Sequence, residues 1–138
     1  MPSGDARLKA LFEAARDAQG KAYAPYSGFR VGAAVIDERG EVHAGCNVEN
    51  AAYPVGTCAE AGAIAAMVER GGTHITALLV LGGGGSLVTP CGACRQRIRE
   101  FAESAIPIHV ADVNGIRRTF TLEELLPASF GPANLGRR

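Results

Sequence analysis

Four residues hold most of the reactive chemistry of this chain: Cys58 and Glu60 in GTCAEAGAIAAM, and Cys91 and Cys94 in TPCGACRQ. Cys91 and Cys94 stand three apart at the predicted start of a helix, on one face, where both can reach a single ion. The unpaired amides and dipole of a helix N-terminus favour thiolate over thiol, which suits either a redox dithiol or a zinc site. The CxxC spacing by itself leaves open a disulfide, half of a structural site and a catalytic metal site. Cys58 adds a third sulfur, also at a predicted helix N-terminus and two residues ahead of Glu60. Three thiolates leave one tetrahedral position for water, the arrangement of a catalytic rather than a structural zinc. Glu60 shares its helical face with Ala63, Ile64 and Met67, so its charge is partly buried and needs a partner; a water held by the metal would supply one.

The stripe that carries the CxxC continues through Arg95, Ile98, Phe101 and Ala102, with Gln96, Arg97, Arg99 and Glu100 on the other side. Both thiols are therefore expected to face inward, with Arg95 next to them. Cys46 falls within a predicted strand and reads as core. His43, His74 and His109 share no spacing for a metal face, which leaves the proton chemistry to Glu60. Gly82 to Gly85 lack a following Lys-Ser/Thr pair and read as a flexible loop rather than a phosphate cradle.

Positioning these groups falls to a predicted alternation of helices and strands. Leu8, Leu11, Phe12, Ala15 and Ala18 recur at helical spacing, giving an amphipathic helix that ends near Gly20. FRVGAAVI and EVHAGCNV flank the polar turn DERG, which predicts a hairpin with strands over 29–36 and 41–48. Helix is expected over 58–70, strand over 75–81, helix over 91–101 and strand over 107–111. In the 75–81 strand, Ile75, Ala77, Leu79 and Leu81 on one face and Leu78 and Val80 on the other are all apolar, so both faces must be covered. The expected fold is α/β, a three-layer α-β-α sandwich.

The length of 138 residues suits a single domain over 1–138. Fourteen basic residues balance fourteen acidic ones, so no net field draws the chain to nucleic acid or to an anionic membrane. The N-terminal MPSGDARLKALFEAARD has no apolar signal core, and the longest apolar run is too short to span a bilayer. A soluble, cytoplasmic protein is expected, and with no sign of export the four cysteines point to metal or redox chemistry rather than disulfides.

TCAE followed by PCGACRQ resembles the zinc-dependent nucleoside deaminases, whose signature is [HC]-x-E followed by P-C-x-x-C. The resemblance runs through YAPYSGFRVGAAV, GCNVENAAY and LEELLPASF, from Tyr23 to Phe130, and is to the short, homotetrameric cytidine deaminase family. It implies a mixed central sheet of about five strands and one zinc per subunit, held by Cys58, Cys91 and Cys94. It implies that Glu60 takes a proton from the zinc water, that the resulting hydroxide attacks C4 of cytosine, and that Glu60 passes the proton to ring N3 and later to the leaving amine. The products are uridine or deoxyuridine and ammonia, a pyrimidine salvage reaction.

By the same resemblance, Asn47 and Glu49 bind the ribose hydroxyls, Phe29 packs on the pyrimidine face, and Tyr53 and Ala59 line the nucleoside pocket. Arg95 and Gln96 stand behind the metal ligands, and Phe130 reaches the active site of a neighbouring subunit. By residue type alone NVEN is also a polar loop, and both aromatics are also ordinary core residues.

Deaminases of modified cytosine nucleosides share CAE and PCGxCRQ, but FRVGAAV with NVENAAY favours cytidine. A polynucleotide deaminase calls for a basic groove and stacking aromatics, whereas this chain is neutral with 6% aromatic residues. A non-catalytic zinc or redox module has no use for Glu60 beside an open coordination position.

One residue departs from the family pattern: most short members carry arginine directly after the glutamate, and this chain has Ala61. Three thiolates and one zinc ion sum to about minus one, which weakens the metal as a Lewis acid unless cations or amides drain the sulfurs. Arg95 and the helix amides are expected to carry more of that load. Ala61→Arg is expected to move the pH–rate profile toward acid by at most about one to two units, for a charge about 5 Å away at an effective dielectric near 20; an unmoved profile refutes it.

Overall fold

The computed structural model describes residues 4–137; the first three residues of the charged N-terminal stretch, and the last residue of the chain, lie outside it. The chain runs α1 (Gly4–Gln19), β1 (Gly32–Asp37), β2 (Val42–Cys46), α2 (Ala59–Glu69), β3 (Ile75–Leu81), α3 (Gly92–Phe101), β4 (Pro107–Asp112), β5 (Gly115–Thr121) and α4 (Leu122–Leu125). Short 3₁₀ turns lie at Tyr53–Val55 and Pro132–Leu135. The strands form one sheet in the order β2-β1-β3-β4-β5. The β3–β4 pair is parallel and the other pairs are antiparallel. A parallel pair needs a crossover, and α3 provides it.

β1 is buried along its whole length, and its alternate residues face two separate cores. On one side Leu11 and Ala15 of α1 pack on Ala34, Ile36, Leu79 and Leu81. On the other, Ala63, Ile64 and Met67 of α2 and Ile98 of α3 pack on Ala33, Val35, Leu78 and Val80. Each fully buried leucine, isoleucine or methionine contributes about 1.5–3 kcal/mol. The result is the expected α-β-α sandwich around a mixed five-stranded sheet.

Ile75 departs from the strict alternation and joins the α2 side. The pairing passes from Ile36↔Ala77 to Asp37↔Ile75, which leaves Thr76 as an extra residue. A bulge of this kind reverses the facing of what lies beyond it.

Both hairpin strands are shorter than predicted, and Phe29, Asn47 and Val48 lie outside them. Their backbone is bonded to side chains and loop neighbours instead: the Val31 amide donates to Asn47 Oδ1, and Val48 exchanges bonds with Thr57. Cys46 ends β2 half-buried rather than in the core. Not predicted from patterning were β5, whose residues alternate too weakly to signal a strand, and α4, which begins at a Thr121–Glu124 capping box.

Two glycines set how closely the helices approach the sheet. A Cβ on Gly32 would lie 1.9 Å from the Ala15 carbonyl oxygen, and one on Gly45 would lie 2.3 Å from the Ala63 amide nitrogen. The second contact presses the start of α2 directly onto β2.

Away from that helix start, the β1–β2 turn encloses a buried carboxylate, Asp37. Asp37 Oδ2 lies 2.8 Å from both His43 Nε2 and Arg39 Nη2, and its Oδ1 accepts the amides of Arg39 and Glu41. Burial raises the Asp37 carboxyl, but these bonds outweigh it and hold the group well below the usual carboxylate range. A carboxyl depressed in the folded state gives stability that is present above its unfolded value, about 3.9, and is lost as pH falls below that value. Asp37→Asn is therefore expected to cost roughly 2–3 kcal/mol at pH 7 and to flatten the decline in stability below about pH 4, measured by urea unfolding across the acid range.

Candidate active site

Cys58 and Cys91 occupy equivalent places: each is the N-cap residue of its helix, α2 or α3, with extended backbone. Their sulfurs thus lie next to the unpaired first amides of the two helices. Cys94, one turn into α3, is fully buried, Cys58 is half-buried and Cys91 is exposed, so the thiols do not all face inward as the helical stripe suggested. The N-cap position turns Cys91 away from that stripe.

Cys58 Sγ and Cys91 Sγ are 3.8 Å apart, and all three sulfurs lie within 4.8 Å of one another. Four ligands at about 2.3 Å around a tetrahedral zinc stand about 3.8 Å from each other, whereas a disulfide needs about 2.05 Å. The triangle fits one metal ion. As thiols the three groups disturb each other: burial and the negative neighbours Glu60, Cys58 and Cys91 push Cys94 far above its usual range. Burial also pushes Cys58 up. Cys91 feels burial too, but the Cys94 amide and the adjacent thiols hold it below its usual value. Three thiolates in this space call for a divalent cation, and a soft donor set of this kind suits zinc.

Glu60 sits in the first turn of α2 with 3% of its surface exposed. Burial raises its carboxyl above the ordinary glutamate range, and its own backbone amide, the Cys94 thiol and the charge of Arg97 partly counter that. A carboxyl tuned upward in this way is suited to passing a proton at neutral pH.

A cavity of about 520 Å3 opens beside the cluster, within the roughly 300–1,000 Å3 of small-molecule sites. Cys58, Ala59, Glu60 and Cys91 line it, as do Phe29, Asn47, Glu49 and Tyr53. The fold thus gathers the sequence-predicted ligands, carboxylate and nucleoside-contacting residues into one site. Phe130 is the exception: it does not line this cavity and is 59% exposed.

Asn47 and Glu49 also build the wall they line. Asn47 accepts the Val31 amide at 2.9 Å and donates to the Phe29 carbonyl at 2.8 Å. Glu49 accepts the amides of Tyr26 and Ser27 at 3.0 and 3.1 Å and the Ser27 hydroxyl, and these bonds, the Ser27 hydroxyl foremost, hold its carboxyl below the usual range. Ser27 Oγ in turn accepts the Phe29 amide at 2.9 Å. Gly28, at φ +69°, permits the tight turn between them. Tyr26 and Ser27 were not singled out from sequence, although a small hydroxyl residue before a glycine is a turn signal.

Two arginines exchange the places expected for them. Arg95 donates to the Pro90 and Leu125 carbonyls at 2.7 and 2.8 Å and to Thr89 Oγ1 at 3.0 Å, so it braces the loop that leads into Cys91. Arg97, expected on the far side of α3, places Nη1 3.5 Å from Cys94 Sγ. The i,i+3 spacing of Cys94 and Arg97 held that signal. Gln96 donates to the Phe130 carbonyl at 2.9 Å and so ties down the C-terminal segment.

Three thiolates next to a buried carboxylate, beside a cavity of small-molecule size, define a zinc-dependent hydrolytic site. Residues 6–110 match the family model described as the cytidine and deoxycytidylate deaminase zinc-binding region, and the chain belongs to that family. It is 38% identical over 128 residues to a cytidine deaminase of Sporosarcina psychrophila, covering 93% of this chain and 94% of that one. It is 41% identical over 124 residues to a cytidine deaminase of Mycobacterium tuberculosis, covering 89% of each. The crystal structure of cytidine deaminase from Burkholderia pseudomallei superposes with a TM-score of 0.83 at 40% identity, covering 88% of this chain and 98% of that one. That from M. tuberculosis gives 0.77 at 40% identity, covering 89% and 96%.

The wall network yields a direct test. Ser27→Ala removes bonds that together are worth about 1 kcal/mol, so amide hydrogen exchange at Tyr26, Ser27 and Phe29 is expected to quicken about fivefold. Exchange in α2 is expected to stay unchanged.

Proposed function

We propose that this chain catalyses the hydrolytic deamination of cytidine and 2'-deoxycytidine to uridine and 2'-deoxyuridine, with release of ammonia, as a step of pyrimidine salvage. The observation that carries the reading is Glu60: a carboxylate 3% exposed, beside three sulfurs that fit one metal ion, lining a cavity of nucleoside size.

Cys58, Cys91 and Cys94 would hold one zinc ion, which when bound supplies Lewis acidity toward water. Glu60 accepts a proton from the attacking water, delivers it to ring N3, and then carries a proton to the departing amine. A C4–O bond forms and the C4–N bond breaks, leaving a ring carbonyl and ammonia. Asn47 keeps one lone pair and one N–H beyond its bonds to Val31 and Phe29, and Glu49 keeps acceptor capacity, so both can still meet ribose hydroxyls. Phe29 supplies an apolar surface for the pyrimidine, and Tyr53 and Ala59 close further sides of the pocket.

The chain acts as one catalytic domain over residues 1–138 and assembles as a homotetramer with shared active sites. Supporting this, Tyr53 is 75% exposed at the cavity wall, and the exposed Phe130 does not line its own pocket while Gln96 fixes its backbone. No helix among the described residues is long and apolar enough to cross a membrane, which accords with a cytoplasmic location.

Incubation of wild type and Glu60→Gln with cytidine, following the ultraviolet change together with zinc content, tests the assignment. Zinc is expected at about one per chain in both, and turnover is expected to fall about 10²- to 10⁴-fold in the variant. Full turnover by Glu60→Gln would refute it.

A further inference from the structure

Charge around the cluster is unbalanced. Three thiolates and a divalent ion sum to minus one, and ionised Glu60 adds a further negative charge in a nearly solvent-free corner. Helix α3 carries three arginines that could answer this: Arg95, Arg97 and Arg99. The bonds of Arg95 go to two carbonyls and a hydroxyl. Arg99 donates to Ser129 Oγ at 3.0 Å, and its guanidinium occupies the space that a Cβ on Gly131 would need. Both brace loops. Arg97 alone of the three directs an N–H at a sulfur, 3.5 Å from Cys94 Sγ.

We propose that Arg97 is a positioning residue for the metal: its guanidinium donates to Cys94 Sγ and offsets the excess negative charge of the three-thiolate cluster, so that the bound ion is retained. Cys94 is the sulfur that most needs such a partner. It is fully buried, and the sulfurs of Cys58 and Cys91 lie within 4.8 Å of it. A donor on a ligand sulfur draws off electron density and fixes the sulfur's orientation, and partners of this kind are typically worth about 10- to 100-fold in metal affinity. The contact is local to α3, because residues three apart on a helix are neighbours. Arg97 therefore travels with Cys94 rather than depending on a loop. Its side chain otherwise reaches solvent, so it can be replaced without opening the core.

The inference rests on the three cysteines holding zinc, and the test separates the two. Zinc content of purified wild type is read first; about one ion per chain is expected, and its absence overturns the ligand assignment and the role of Arg97 with it. Zinc-loaded wild type, Arg97→Met and Arg97→Lys are then challenged with excess chelator, and the rate of zinc release is followed with a colorimetric indicator. Arg97→Met is expected to release zinc about 10- to 100-fold faster than wild type, and Arg97→Lys, which keeps the charge, to stay within about threefold. The melting temperature of the zinc-free forms is expected to be the same for all three, which a packing role for the arginine would not give. Wild-type release by Arg97→Met, or release from Arg97→Lys as fast as from Arg97→Met, overturns the proposal.

Discussion

Mutual repulsion among three sulfurs within 4.8 Å of one another, beside a buried carboxylate, is the constraint that the rest of the molecule answers. Positive potential must converge on that point from several directions. Two helices do this by beginning there, each with a cysteine as its N-cap, so that their unpaired amides and dipoles face the sulfurs. The crossover topology explains why they can meet. Helix α3 connects the parallel strands β3 and β4, and α2 leads into β3 after lying across β1 and β2. Both helix starts are thereby brought to one end of the same side of the sheet.

The cavity wall follows a second economy, in which residues that face the ligand space also hold the backbone that shapes it. Asn47 bridges to both sides of Arg30 through Phe29 and Val31, and Glu49 gathers the turn at Tyr26 and Ser27. Substituting either residue therefore changes the pocket's shape as well as its hydrogen bonding. A change at either position therefore acts on the backbone that carries Phe29 as well as on the cavity wall itself.

Much of this was legible in the sequence because it depends on spacing. The strand over 75–81 matches β3 residue for residue, since a run that is apolar on both faces has one solution in a covered sheet. The cysteine triad and Glu60 were legible for the same reason: i,i+2 and i,i+3 relations survive folding. The edge strand β5 was not legible, because GIRRTFT alternates poorly, although the Asn114-Gly115 pair at its start is a hairpin signal and TxxE at Thr121 is a capping signal. The places of Arg95 and Arg97 were hidden for another reason. A guanidinium spans several ångströms, so the face on which its Cα lies does not determine what its nitrogens touch. Ile75 was misplaced because a bulge at Thr76 leaves no mark in the hydrophobic pattern.

The contact between Gly45 and Gly62 has a mechanical meaning for the centre. Gly62 Cα-side space is so filled that a Cβ there would lie 3.3 Å from Gly45 Cα, and the reverse substitution would meet the α2 backbone. Cys58 and Glu60 ride on one lever, α2, with this contact as its fulcrum, while Cys91 and Cys94 ride on α3. A push at the fulcrum moves the buried carboxylate and its adjoining sulfur together, preserving their mutual distance and spoiling their distance to the other two sulfurs. The centre would thus come apart along the seam between the two helices, parting one sulfur from the other two while Cys58 and Glu60 kept their spacing.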